Sequence, residues 1–196
     1  MHVYVHVPFC ARRCSYCDFA IAVRKDTPDR EFVEALRVEW RARRGLPAWD
    51  LAPNISTLYF GGGTPSRLEG ETIARLIQML VSDRPFAVDA EVTLEANPDD
   101  VTPARANAWR EAGVNRISLG VQSHEPAVLE WMHRTHTADQ VPFAVSILRN
   151  AGFTNISMDL IFGVPVALRR DWIRDLDLAL ELEPTHLSLY GLTVEP

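Results

Sequence analysis

The sequence predicts an α/β protein built on one parallel sheet, and three observations carry that reading. Short β-rich runs alternate with helical stretches along the whole 196-residue chain. The helical stretches repeat apolar residues at the spacing of a buried helix face, and they open with residues that start helices. Strands separated by helices pair in parallel through right-handed crossovers.

Residues 2–7 form the first strand candidate, an apolar run that Pro8 turns into a loop. Thr27-Pro28 suits an N-cap followed by proline at the first helical position, and Phe32, Leu36 and Trp40 then mark one helix face at i, i+4, i+8. Arg41, Arg43 and Arg44 sit at that helix's end, where they complement its dipole and face solvent. After the second strand, residues 56–60, Ile73, Leu76, Ile77 and Leu80 mark the next helix. The third strand covers residues 90–95, and Thr102-Pro103 caps the helix after it. The fourth covers 116–121, and Thr137 with Gln140 has capping-box spacing. The fifth covers 155–162, with Trp172, Leu176 and Leu180 as an inward stripe behind it; the sixth covers 186–192. No repeat, low-complexity tract or linker divides the chain, so residues 1–196 read as one domain. A last strand with no following helix would leave an apolar face and an edge uncovered, so a longer parent protein is expected.

Composition sets bounds. The chain is 47% apolar with net charge −6, enough for one sizeable core. Its apolar stretches fall far short of the roughly 20 residues of a membrane span, and its acidic balance argues against a general nucleic-acid surface. With no apolar signal segment, the expected location is the cytoplasm.

The chemistry concentrates at the N-terminus. Cys10, Cys14 and Cys17 are the only cysteines and stand at C-x-x-x-C-x-x-C spacing. Three cysteines cannot all pair as disulfides. Three thiolates on a four-iron cluster leave one iron open to a further ligand, which is where chemistry can occur. A zinc site using these cysteines with His6 or His2 is the alternative, although zinc sites more often show two separated C-x-x-C pairs. Sulfur ligands on a loop after a strand fit a site at the C-terminal edge of a sheet.

Other strand ends carry further candidates. Gly61-Gly62-Gly63-Thr64-Pro65 lets backbone pass close to a ligand, with amides and carbonyls to offer; the plainer reading is a tight turn. Glu95 ends the third strand and Gln122 the fourth, placing polar groups at the sheet's mouth; alone they read as a loop acid and a turn cap. Tyr4 reads equally as strand core. His133 and His136 read as surface histidines, and His2, His6 and His186 as structural, with His6 the one to watch.

The cysteine spacing, with aromatic Tyr16 before the last cysteine, resembles the radical S-adenosylmethionine (SAM) superfamily. YVHVPFCARRCSYCDF at 4–19, YFGGGTPS at 59–66, LEANPDD at 94–100, RISLGVQS at 116–123, MHRTH at 132–136, MDLIFGVP at 158–165 and HLSLYGLTVEP at 186–196 are similar, in order, to the oxygen-independent coproporphyrinogen III oxidase family. The resemblance covers essentially the whole chain. It implies an open (βα)6 partial TIM barrel, a [4Fe-4S] cluster on Cys10, Cys14 and Cys17, and a C-terminal domain beyond Pro196. It further implies that Gly62, Gly63 and Thr64 hold the SAM amino group and that Glu95 and Gln122 contact its ribose or methionyl part. Arg134 then pairs with the SAM carboxylate, Asp159 closes the pocket, and Tyr4, Tyr16 and Thr193 touch SAM. An arginine fork suits a carboxylate through paired charge-assisted hydrogen bonds. The implied chemistry is one-electron cleavage of SAM to methionine and a 5′-deoxyadenosyl radical, with oxygen sensitivity.

Within the family the sequence takes a side. The oxidases carry a further cysteine two residues after the third ligand, where this chain has Phe19. That version is typical of the haem-chaperone branch, so the resemblance implies a haem chaperone, with an electron donor and haem-acceptor proteins as partners and a haem-binding motif beyond Pro196. A porphyrinogen-decarboxylating enzyme is the alternative. Gly163-Val164-Pro165-Val166-Ala167 departs from the usual Gly-Leu-Pro-Gly-Gln, which bears on the loop after the fifth strand and not on the fold.

Overall fold

A computed structural model describes residues 1–47, 49 and 52–193. Six parallel strands form one sheet: β1 (His2–Val7), β4 (Ile55–Gly62), β5 (Phe86–Ala96), β6 (Arg116–Gln122), β7 (Asn155–Phe162) and β8 (His186–Gly191), in that spatial order. The sheet is open, since β1 and β8 stand at its two ends. Between the strands run α1 (Asp29–Arg43), α2 (Gly70–Asp83), α3 (Pro103–Glu111), α4 (Pro126–Trp131), α5 (Gln140–Asn150) and α6 (Trp172–Glu181). Among the described residues no helix is long and apolar enough to cross a membrane.

The strands alternate more strictly than buried parallel strands usually do. Val3, Val5 and Val7 of β1, Leu58 and Phe60 of β4, Leu94 of β5, Ile117 and Leu119 of β6, and Met158 and Leu160 of β7 are buried together with α1, α2, α3 and α5. The positions between them carry Tyr4, Tyr59, Glu95, Ser118 and Asp159, which period-two alternation sends to the opposite face. Register brings these polar residues side by side: Tyr4 pairs with Tyr59, Glu95 with Ser118, Gly120 with Asp159, and Asp159 with Ser188. One face is therefore a dry core under helices, and the other is a polar floor.

Several local expectations are corrected. Pro28 occupies the N-cap of α1 with no side-chain cap, so Thr27-Pro28 starts the helix one residue later than proline at the first helical position requires. Thr102 does cap α3, accepting from the Arg105 amide at 3.3 Å. At α5 only half a capping box forms: the Thr137 amide donates to Gln140 Oε1 at 2.8 Å, while Asp139 is the N-cap. The stripe expected on α6 fails at Leu180, which is exposed, because Asp175 and Ala179 are the residues that face inward. Asp175 is drawn in by hydrogen bonds from Ser123, His124 and Arg170, which outweigh the apolar stripe. A two-residue pair absent from the sequence reading, β2 (Phe9–Cys10) with β3 (Ala22–Val23), closes the neck of the cysteine loop. Strands so short leave no periodic trace.

Candidate functional site

The C-terminal ends of the six strands surround a cavity of about 700 Å³. Its wall includes Cys10, Cys14, Tyr16 and Cys17 from the first loop, and Gly62, Gly63 and Thr64 from the end of β4. Glu95, Gln122, Arg134, Asp159 and Thr193 complete it. Of the cluster and SAM candidates read from the sequence, only Tyr4 is absent from the wall. Tyr4 is half exposed rather than core, stacks on Tyr59 at 6.0 Å, and bonds His6 Nδ1 at 3.2 Å. Val194, Glu195 and Pro196 of the last motif lie outside the described residues.

The thiols are free of disulfides. Burial pushes the Cys10 thiol up, the Thr64 hydroxyl that donates to its sulfur at 3.5 Å pulls it down, and neighbouring Cys17 and Cys14 push it up again. Thiolates beside Cys10 oppose its ionisation unless cationic metal lies among them. The zinc reading finds no geometry here. His6 donates through its Nε2 side to the Ala20 carbonyl at 2.9 Å and is not on the cavity wall. Among the described residues no three His, Cys, Asp or Glu converge on a single ion, as zinc's tight shell of about 2.3 Å bonds requires.

The glycine loop is shaped by its neighbours. Gly62 has φ +112, and a Cβ there would lie 2.6 Å from the His6 ring; one at Gly63 would lie 2.8 Å from the Phe9 carbonyl. The expectation that this loop offers free amides is corrected. The Gly62 amide donates to Glu95 Oε2 at 3.0 Å, Gly63 to the Val7 carbonyl at 2.7 Å, and Thr64 to the Phe9 carbonyl at 2.8 Å. With these amides taken, a ligand at this loop would have to be met by carbonyls, and carbonyls suit an ammonium.

Two carboxylates face the cavity on bonded supports. Glu95 accepts from the Tyr59 hydroxyl at 2.8 Å, and Asp159 from the Ser118 hydroxyl at 2.8 and 3.1 Å. Burial raises both above the usual carboxylate range, and these hydrogen bonds oppose the rise. Burial likewise raises Tyr59 and Tyr16 above the ordinary phenol. Asp159 lies inside β7, three residues before its end, rather than at the rim. Arg134 follows α4. Its Nη2 donates to Asn97 Oδ1 at 2.6 Å and the Gly120 carbonyl at 2.9 Å, and its Nη1 to the Tyr16 hydroxyl at 3.3 Å and Cys14 Sγ at 3.8 Å. Its Nε is buried without a partner. His133 is exposed on the cavity wall, whereas His136 is buried, contrary to the surface reading. Burial, then the Arg134 charge, pushes the His136 imidazole down to about 3, so it is neutral and bonds the Val121 carbonyl at 3.1 Å.

Tyr59, Ser118 and Asn97 were not singled out from the sequence as site residues. For Tyr59 and Ser118 the signal was present in the polar residues at alternate positions of strands that otherwise read as apolar; Asn97 follows β5 and carries no such signal.

Known proteins bear on this cavity directly. The profile of the Radical SAM superfamily matches residues 4–179. The chain is 41% identical to the heme chaperone HemW of Mycobacterium tuberculosis over 198 residues, covering 98% of this chain and 50% of that protein. It is 36% identical to the heme chaperone HemW of Escherichia coli over 197 residues, covering 100% and 51%. Among solved structures it is similar to coproporphyrinogen III oxidase (HemN) from Escherichia coli, a radical SAM enzyme, with TM-score 0.87 and 29% identity over 100% of this chain and 44% of that one. The chain spans about half the length of the curated relatives it matches. A six-stranded parallel sheet with three free cysteines at its mouth and a superfamily match over most of its length leave one assignment, with the SAM and [4Fe-4S] cluster that it implies: the chain belongs to the radical SAM superfamily.

Proposed function

We propose that this chain is the cluster- and SAM-holding part of a haem chaperone. The observation that carries the reading is Phe19, exposed on the cavity wall where the oxidases have a further cysteine. The curated heme chaperones that match along the whole chain support it.

The residues present fit the cofactors. Crowded free thiols suit a cationic iron centre, and the orphaned Nε of Arg134 suits an incoming acceptor. Cys10, Cys14 and Cys17 would hold the cluster, with Thr64 steadying Cys10. The Gly62 and Gly63 carbonyls would receive the SAM ammonium and Arg134 its carboxylate. Glu95 and Gln122 would take its ribose and methionyl part, with Asp159, Tyr16 and Thr193 closing the pocket. Tyr4 would act from behind, through Tyr59 and His6. When bound, the cluster and SAM supply one-electron reductive chemistry. The chain's own part is to orient them and keep water away: Tyr59 and Ser118 fix the carboxylates, and Asn97 and Gly120 fix the arginine.

Haem, an electron donor, haem-acceptor proteins and a cytoplasmic setting complete the proposal, with haem bound by the full-length protein. The test is an anaerobic assay of full-length protein with reductant, SAM and coproporphyrinogen III, run beside a haem titration. Tight haem binding without decarboxylation is the expected result. Repeated turnover to protoporphyrinogen would instead establish the oxidase reading, which the similarity to HemN favours.

A further inference from the structure

The last residue of β6 is held in a conformation that its sequence does not favour. Gln122 has φ +65. The Ser123 amide donates to the Val121 carbonyl at 2.8 Å across it, forming a γ-turn of the rarer, positive-φ kind. The pairing with β7 slips at the same place, Gly120 opposing Asp159 and Gln122 opposing Leu160. A non-glycine residue there persists only when its surroundings over-determine it.

The surroundings are unusually complete. Arg170 and Asp175 form an ion pair with side chains each 4% exposed, Nη2 to Oδ2 at 2.5 Å. Arg170 donates to the Gln122 carbonyl at 3.3 Å and to the Ile161 carbonyl, and its guanidinium lies 4.5 Å over the Trp172 ring. Asp175 accepts from the Ser123 hydroxyl at 2.6 Å and the His124 amide at 3.0 Å. One buried pair therefore grips the central carbonyl of the turn, its C-terminal side and the end of β7. The turn sets the Gln122 side-chain amide over Gly120 beside the Arg134 guanidinium: a Cβ built on Gly120 would meet Gln122 Nε2 at 3.0 Å and Arg134 Nη2 at 3.3 Å.

We infer that Arg170 and Asp175 are positioning residues: their buried pair imposes the γ-turn at Gln122 and so places its amide for the ligand of Arg134. This rests on the SAM-pocket reading above. Neither residue lines the cavity, so any effect on a ligand must pass through the turn at Gln122 or through Ile161 at the end of β7, and a cycle that includes Gln122 separates the two routes.

The test is a double-mutant cycle on full-length protein with a reconstituted cluster, reading SAM dissociation constant, iron content and thermal midpoint. Gln122→Gly removes both the strain and the amide. It should leave the midpoint unchanged or raised and weaken SAM about tenfold. Asp175→Asn should lower the midpoint, leave iron content intact and weaken SAM similarly. The double variant should bind SAM no worse than Gln122→Gly alone while keeping the full loss of midpoint, a non-additivity that general destabilisation would not produce. If Asp175→Asn does not fold, Arg170→Lys keeps the charge but loses the fork that reaches Gln122 and Ile161, and it should give the same pattern. Unchanged SAM binding in these variants, or additive losses, overturns the inference alone. Wild-type protein with an intact cluster that bound no SAM would bring down the pocket reading as well.

Discussion

The Tyr59 hydroxyl donates to Glu95 Oε1 at 2.8 Å, while the other carboxylate oxygen takes the Gly62 amide. Tyrosine and glutamate come from adjacent strands and the amide from the glycine loop, so the bond ties two walls of the cavity together.

This arrangement fixes a pH dependence. Burial raises Glu95 and Asp159, so the ligand-free folded state binds more protons than the unfolded chain between the ordinary carboxylate pKa and the raised one. Stability without ligand should fall as pH rises through that window. A cationic ligand favours the ionised carboxylates, so SAM affinity should rise with pH through the same window. Calorimetric titration from the ordinary carboxylate pKa of about 4 upward checks this. Tyr59→Phe should move the window upward, because the Tyr59 bond favours the ionised form.

Replacing Cys10, Cys14 or Cys17 by Ala should each abolish the visible iron–sulfur absorption of anaerobically reconstituted protein. The three are the chain's entire cysteine complement, so no neighbour can substitute. A triple variant that still assembled a four-iron cluster would contradict the ligand assignment.

Arg134→Lys keeps a cation but cannot span Asn97, Gly120, Tyr16 and Cys14 together. SAM affinity should fall about tenfold while iron content holds. Equal losses of both in binding and iron assays would make Arg134 a support of the cysteine loop rather than of the ligand.

The two glycines should respond differently to alanine. At Gly63 the obstacles are the Phe9 and Val7 carbonyls, backbone that cannot move without shifting β1 and β2, and a loss of about 2–3 kcal/mol is expected in chemical denaturation. At Gly62 the obstacle is the His6 ring, a side chain that can turn aside only by giving up its bonds to Tyr4 and Ala20, and that loss adds to a positive-φ cost of about 1–3 kcal/mol.

How far the sequence disclosed this molecule depended on what each feature rests upon. All six strands of the sheet were legible because their apolar residues alternate or run unbroken, although β5 starts at Phe86 rather than residue 90. Glu95 and Gln122 were legible from chain position, since strand ends in a parallel sheet gather at one mouth. Leu180 misled because a buried aspartate turned the helix. The occupied amides of the glycine loop were invisible because their partners, Val7, Phe9 and Glu95, are all remote in the chain. The Arg170–Asp175 pair was hidden for a similar reason: its targets sit on β6 and β7, and only tertiary structure brings them within reach.

The small β2–β3 ribbon carries a consequence for cofactor loading. The Ala22 amide donates to the Pro8 carbonyl at 2.7 Å and the Arg24 amide to the Cys10 carbonyl at 2.9 Å, so both feet of the cysteine loop are knotted to each other by protein bonds alone. Those bonds offset part of the entropic cost of closing the loop, so, unlike small zinc domains that fold only as metal binds, the chain does not leave the joining of the loop's ends to the cofactor alone.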